Sequence, residues 1–194
     1  MREACTQAAL WNHISGGAQN VKMSINLSEP QLVDPNLQYQ VMEVLSWARL
    51  EPNQLILEIT EDIIIGQGDH LNKLRSLSEL GINLAIDDFG TGHSSLNSIK
   101  ELDMVSTLKI AEKFVTDINS SHADRAIIEA IVTMAKALDL NIVAEGVETE
   151  EQVRALHNLG VYNLQGYFFA VPTPANEMDP DRWFESNSSK KLQR

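Results

Sequence analysis

The sequence predicts an α/β fold, a parallel barrel assembled from about six strand-helix units. Three observations carry this expectation. Short apolar, strand-like runs alternate with longer amphipathic segments, as parallel strands with helical crossovers require. Each run carries a polar residue at or near its C-terminal end. The 194 residues, 43% of them hydrophobic, are enough for one domain with a substantial core.

The elements follow in order. REACTQAALWN (2–12) is a helix-like opening that no strand precedes. The candidate strands are VKMSINL (21–27), QLILEIT (54–60), INLAID (82–87), VSTLKI (105–110), NIVAEGV (141–147) and YNLQGYFF (162–169). Between them QYQVMEVLSWARL (38–50), HLNKLRSLSELG (70–81), ADRAIIEAIVTMAKALDL (123–140) and EEQVRALHNLG (150–160) have helical spacing of apolar residues. Gly81 and Gly160 are placed to end two helices as C-caps. Ser28 with Gln31, and Thr149 with Gln152, have the spacing of capping boxes at helix starts. Residues 1–184 are expected to form one domain, and the polar, unpatterned residues 185–194 a disordered tail.

Composition narrows the function. A single cysteine, Cys5, rules out an internal disulfide. No charged-then-apolar leader and no apolar run of about 18 residues is present, so a cytoplasmic setting without membrane contact is expected. A formal net charge of -12 argues against a grip on long nucleic acid, which needs Lys and Arg along many phosphates. A small phosphorylated ligand would need metal ions as the positive element.

The polar residues at the strand ends are Asn26, Glu58, Asp87, Lys109, Glu145 and Gln165. Singly, each is an ordinary turn former or helix cap. In a parallel barrel, however, the carboxyl ends of the strands build the active site. If Glu58, Asp87, Asp88 and Glu145 converge, each pair about 4 Å apart repels by roughly 4 kcal/mol at an effective dielectric near 20. Such a site must take up protons or bind cations, and oxygen donors with the Asn26 amide suit Mg²⁺ or Mn²⁺ rather than zinc. Adjacent strand residues point to opposite faces, so Asp87 and Asp88 share a site only if the chain bends, and FGTG (89–92) is expected to supply the bend. Asp87 then bridges two cations while Asp88 serves the second. Lys109 either meets the phosphate or the water, or forms a salt bridge to Asp87 or Glu145 without chemistry.

In order, INLS, LEITE, DDFGTGHSSL, LKI, VAEGVET and QGYFF resemble the EAL-domain family of cyclic di-GMP phosphodiesterases, over residues 2–183. The resemblance implies a modified TIM (β/α) barrel, here incomplete with its first strands missing, that hydrolyses cyclic di-GMP to linear pGpG with two Mg²⁺ or Mn²⁺ ions. It implies metal ligation by Asn26, Glu58, Asp87, Asp88 and Glu145. Lys109 resembles the catalytic lysine near the attacking water, with Asp88 and Glu145 beside it in the catalytic set. Glu61 resembles the glutamate that anchors the loop after Asp88, although an acidic residue at a helix start is also favoured by the backbone dipole. Glu148 and Gln165 resemble further active-site, substrate-binding residues.

The sequence departs from the family pattern in places. The namesake Glu-Ala-Leu motif, whose glutamate is a metal ligand, is absent. Ala111 follows Lys109 and Ile110 where the family has aspartate, Ser106 replaces another expected aspartate, and His93 stands where an aromatic residue is usual. Weakened or absent hydrolysis is therefore one expectation. A non-catalytic module binding cyclic di-GMP or a partner protein is the alternative, and another metal-dependent barrel enzyme a third reading. Six strands cannot close a small barrel, so a homodimer or other self-association through the gap, partial opening, or completion by another segment is expected. Family relatives sit behind sensory or cyclase domains, which makes such domains expected partners.

Overall fold

The computed structural model describes residues 1–14, 20–65, 69–92 and 103–178. His93 and the tail 185–194 lie outside the described residues. Six strands form one sheet in the order of the chain: β1 (Met23–Asn26), β2 (Leu55–Thr60), β3 (Asn83–Phe89), β4 (Thr107–Ile110), β5 (Asn141–Ala144) and β6 (Asn163–Leu164). Every neighbouring pair is parallel. Sequential order with parallel pairing is the winding of a (β/α) barrel, and the sheet is such a barrel left incomplete, with β1 and β6 as its edges.

Eight helices are described: α1 (Arg2–Ile14), α2 (Glu29–Leu32), α3 (Leu37–Ala48), α4 (Glu61–Ile65), α5 (His70–Glu79), α6 (Glu112–Thr116), α7 (His122–Ala137) and α8 (Glu150–Asn158). The spacing of apolar residues explains the long ones. Val41, Val44, Leu45 and Ala48 of α3 recur at i, i+3, i+4 and i+7, as do Ile128, Ile131, Val132 and Ala135 of α7, and all eight are buried. Both expected capping boxes are present. Gly81 and Gly160 follow α5 and α8 with φ of 88° and 85°. The three short helices α2, α4 and α6 have too few turns for periodicity to reveal; the Ser28–Gln31 capping box marked the start of α2, while α4 and α6 were not among the expected helices.

The helices cover one face of the sheet. Leu55, Leu57, Ile59, Leu84, Ile86, Leu108, Ile110 and Ala144 point into this layer and are almost completely buried. Burying each large side chain stabilises the fold by about 1.5–3 kcal/mol. Alternation then sends the intervening residues to the other, concave face: Ser24 and Asn26, Glu58 and Thr60, Asp87, Thr107 and Lys109. The fold thereby sorts the sequence into a helix-backed apolar layer and a polar inner surface.

Candidate active site

The rim of the concave face is built by strand register. Asn26 pairs with Glu58, Thr60 with Asp87, and Lys109 with Val143, two residues before Glu145. The Glu145 amide donates to the Ile110 carbonyl, and the Gln165 amide to the Ala144 carbonyl, so the ladder continues just past β5 and β6.

At the centre stands Lys109. Its Nζ donates to Glu58 Oε2 at 2.8 Å and Asp87 Oδ1 at 2.9 Å, and pairs with Glu145 Oε1 at 2.8 Å. The lysine side chain is 5% exposed. Three strands thus deliver three carboxylates to one ammonium. Burial alone would lower the Lys109 pKa, but its bonds to Glu145, Glu58 and Asp87 outweigh that and hold the group protonated, well above the usual lysine range. Burial pushes the Glu145 carboxyl up to about 7, against the pull of Lys109 and with the help of the like charge on Asp87. Of the two roles open to Lys109, the ion pairing is what these distances display, and it extends to Glu58.

Asp88 lies beside Asp87 at an irregularity in the ladder. Ile86 pairs with Leu108 and Phe89 with Ile110, so two residues, Asp87 and Asp88, oppose the single Lys109 in a β-bulge. Asp88 itself takes φ of 52°. The bend was expected in FGTG but lies one residue earlier, because the extra residue is inserted within the ladder. Glu61 opens α4, and its Oε2 accepts from the amides of Gly90 at 3.0 Å and Gly92 at 3.2 Å. Its Oε1 is buried and has no hydrogen-bond partner among the described residues.

The remaining expected residues are dispersed around this centre. Asn26 is exposed at the end of edge strand β1, and Gln165 is exposed just past β6. Glu148 is exposed ahead of α8, where its amide donates to Gln152 Oε1 at 2.8 Å. Ala111 is buried at the start of α6, and Ser106 Oγ donates to the Leu84 carbonyl at 3.0 Å, at the foot of β4 rather than its rim.

Sequence reading missed two contributors. The Ser24 hydroxyl donates to Glu58 Oε1. The signal available was its place two residues before Asn26, which alternation assigns to the same face. Gln152, buried, accepts from Thr149 and Glu148 amides and donates to the Val115 and Thr116 carbonyls, tying the loop after Glu145 to α6. Its capping role was expected; its link across the structure had no local signature.

The donor set suits a hard divalent cation: three carboxylates against one ammonium leave net negative charge, the neighbouring Asp88 adds more, and among the described residues no sulfur or imidazole joins them. Among the described residues, no three Asp, Glu, His or Cys side chains form a ready-made ligand group for a single ion. Lys109 supplies the local counter-charge instead.

The model of the EAL domain matches residues 1–172. The chain belongs to the EAL-domain family. This EAL domain is 42% identical over 177 residues to the bifunctional diguanylate cyclase/cyclic di-GMP phosphodiesterase MucR of Pseudomonas aeruginosa, covering 91% of the chain and 25% of MucR. Against the solved MucR phosphodiesterase in complex with cyclic di-GMP it has a TM-score of 0.82 at 40% identity, covering 91% of this chain and 70% of that one. Klebsiella pneumoniae BlrP1, solved as a manganese and cyclic di-GMP complex, gives a TM-score of 0.77 at 32% identity, covering 88% of this chain and 44% of that one. The EAL domain spans about a quarter of the length of the curated relatives it matches. These relatives are longer proteins of which the matched region is one part. No helix among the described residues is long and apolar enough to cross a membrane.

Proposed function

We propose that this EAL domain is a phosphodiesterase that hydrolyses cyclic di-GMP to linear pGpG with two Mg²⁺ or Mn²⁺ ions. The observation that carries the reading is the convergence of Glu58, Asp87 and Glu145 on Lys109 at the carboxyl ends of adjacent strands. Support comes also from relatives solved with cyclic di-GMP, one of them with manganese.

Asn26, Glu58, Asp87, Asp88 and Glu145 would hold the two ions. When bound, the ions supply the positive charge that lets a phosphodiester approach this acidic rim, and they make the attacking water more acidic. Lys109, kept protonated by its three partners, holds the water or a phosphate oxygen in line. Glu145 is placed to accept the proton released as the water oxygen bonds to phosphorus, and the leaving sugar oxygen takes up a proton as the phosphorus–oxygen bond breaks. Glu61 fixes the turn after Asp88 through the Gly90 and Gly92 amides. Glu148 and Gln165 are the substrate-binding residues beyond this centre.

The same reading places the domain in the cytoplasm, within a longer protein carrying sensory or cyclase domains. Residues 1–184 act as one domain with 185–194 as its tail, and self-association, a homodimer in the simplest case, covers the open edges of β1 and β6. A second reading, a non-catalytic module that binds cyclic di-GMP, is favoured by Lys109 already occupying the point where the carboxylates meet and by Ala111 beside it.

Incubation with cyclic di-GMP and Mn²⁺ separates the two. The phosphodiesterase reading expects pGpG by chromatography, absent in Asp87→Asn. Heat of nucleotide binding without product at high protein concentration favours the second reading, and neither heat nor product overturns both.

A further inference from the structure

Both oxygens of Glu58 are engaged. Oε2 receives the Lys109 ammonium at 2.8 Å, and Oε1 receives the hydroxyl of Ser24 from the neighbouring strand. Ser24 pairs in register with Ile56, one inward-facing position below the Asn26–Glu58 pair. Its hydroxyl therefore reaches Glu58 along the strand diagonal, from the side opposite Lys109. A glutamate on a strand has three side-chain torsions to settle. Two charge-assisted hydrogen bonds from opposite sides leave it one orientation.

We propose that Ser24 is a positioning residue for divalent-cation binding, its hydroxyl fixing the Glu58 carboxylate so that this ligand is ordered before the ion arrives. The inference rests on the metal-dependent reading of the site. Ser24 is exposed, so without the carboxylate its hydroxyl would bond to water, and the contact adds little to the stability of the fold. Its effect is on orientation. Partners of metal ligands act in this way, by holding a ligand in its binding pose.

The test is Mn²⁺ titration of the full chain without nucleotide, followed by loss of the free-ion electron paramagnetic resonance signal, for the parent, Ser24→Ala and Ser24→Thr. Ser24→Ala is expected to weaken Mn²⁺ binding by about 10–100-fold, while Ser24→Thr, which keeps the hydroxyl, stays within about threefold of the parent. The thermal midpoint in chelator is expected to be the same for all three. Parental Mn²⁺ affinity in Ser24→Ala, or equal loss in Ser24→Thr and Ser24→Ala, overturns the role of Ser24 while leaving the metal site standing. A parent chain that takes up no Mn²⁺ overturns the metal site, and the role of Ser24 with it.

Discussion

The two faces of the sheet obey opposite rules. Leu57, Ile59, Leu84, Leu108 and Ile110, on the helix-backed face, are at most 1% exposed. On the concave face the same strands present Glu58, Asp87 and Lys109, whose mutual attraction works against the cost of removing charge from water. The first face stabilises the fold and would serve almost any chemistry. The second gathers three carboxylates around a single ammonium, a concentration of like charge that the first face never holds.

The contrast can be broken most severely at Lys109. Lys109→Met leaves three carboxylates without their shared counter-charge and is expected to destabilise the metal-free chain by about 3–5 kcal/mol. Millimolar Mn²⁺ should restore part of the thermal midpoint, because a cation replaces the missing charge. An unchanged midpoint in chelator would show that the carboxylates separate freely and that the rim stores little repulsion.

Leu57→Ala tests the other face. Loss of a fully buried side chain is expected to cost about 2–5 kcal/mol in chemical denaturation and to leave Mn²⁺ affinity unchanged. A coupled loss of metal binding would mean the faces are not independent.

A smaller effect is expected at Gly146, beside Glu145. Its φ is 67°, and an added Cβ would collide with Glu112 Cγ. Gly146→Ala is expected to cost about 1–3 kcal/mol and to lower hydrolysis more than a change of similar cost on the helix-backed face, because the displaced loop carries Glu145.

The mildest probe is pH. Glu145 has its folded-state pKa raised to about 7 from 4.5. The folded chain therefore holds this proton more tightly than the unfolded one, and the stability that results is fully present below pH 4.5 and lost as pH rises through 7. Denaturation in chelator from pH 4 to 8 should show this fall, and Glu145→Gln should flatten it. An equal slope in the variant would assign the titration to another group.

Much of this protein is legible along the chain. The strand-helix alternation, the capping pairs at Ser28 and Thr149, the glycines after α5 and α8, and a polar residue at each strand end all depend on neighbours within a few positions, which the sequence states directly. On that basis the incomplete barrel was expected, and it is what the sheet order and the EAL relatives show. The departures are equally particular. Lys109 meets Glu58 and Asp87 from 51 and 22 residues away, Ser24 meets Glu58 across 34, and Gln152 meets the α6 carbonyls across 36 and 37. Such meetings are decided by which strand lies beside which and in what register. The bulge that aligns Asp87 and Asp88 against one lysine is likewise a property of two paired strands, absent from either alone. The sequence by itself determined which residues are polar and at what height on each strand they stand; only the tertiary structure decided that three carboxylates share one ammonium, because that depends on distances between strands that local interactions do not set.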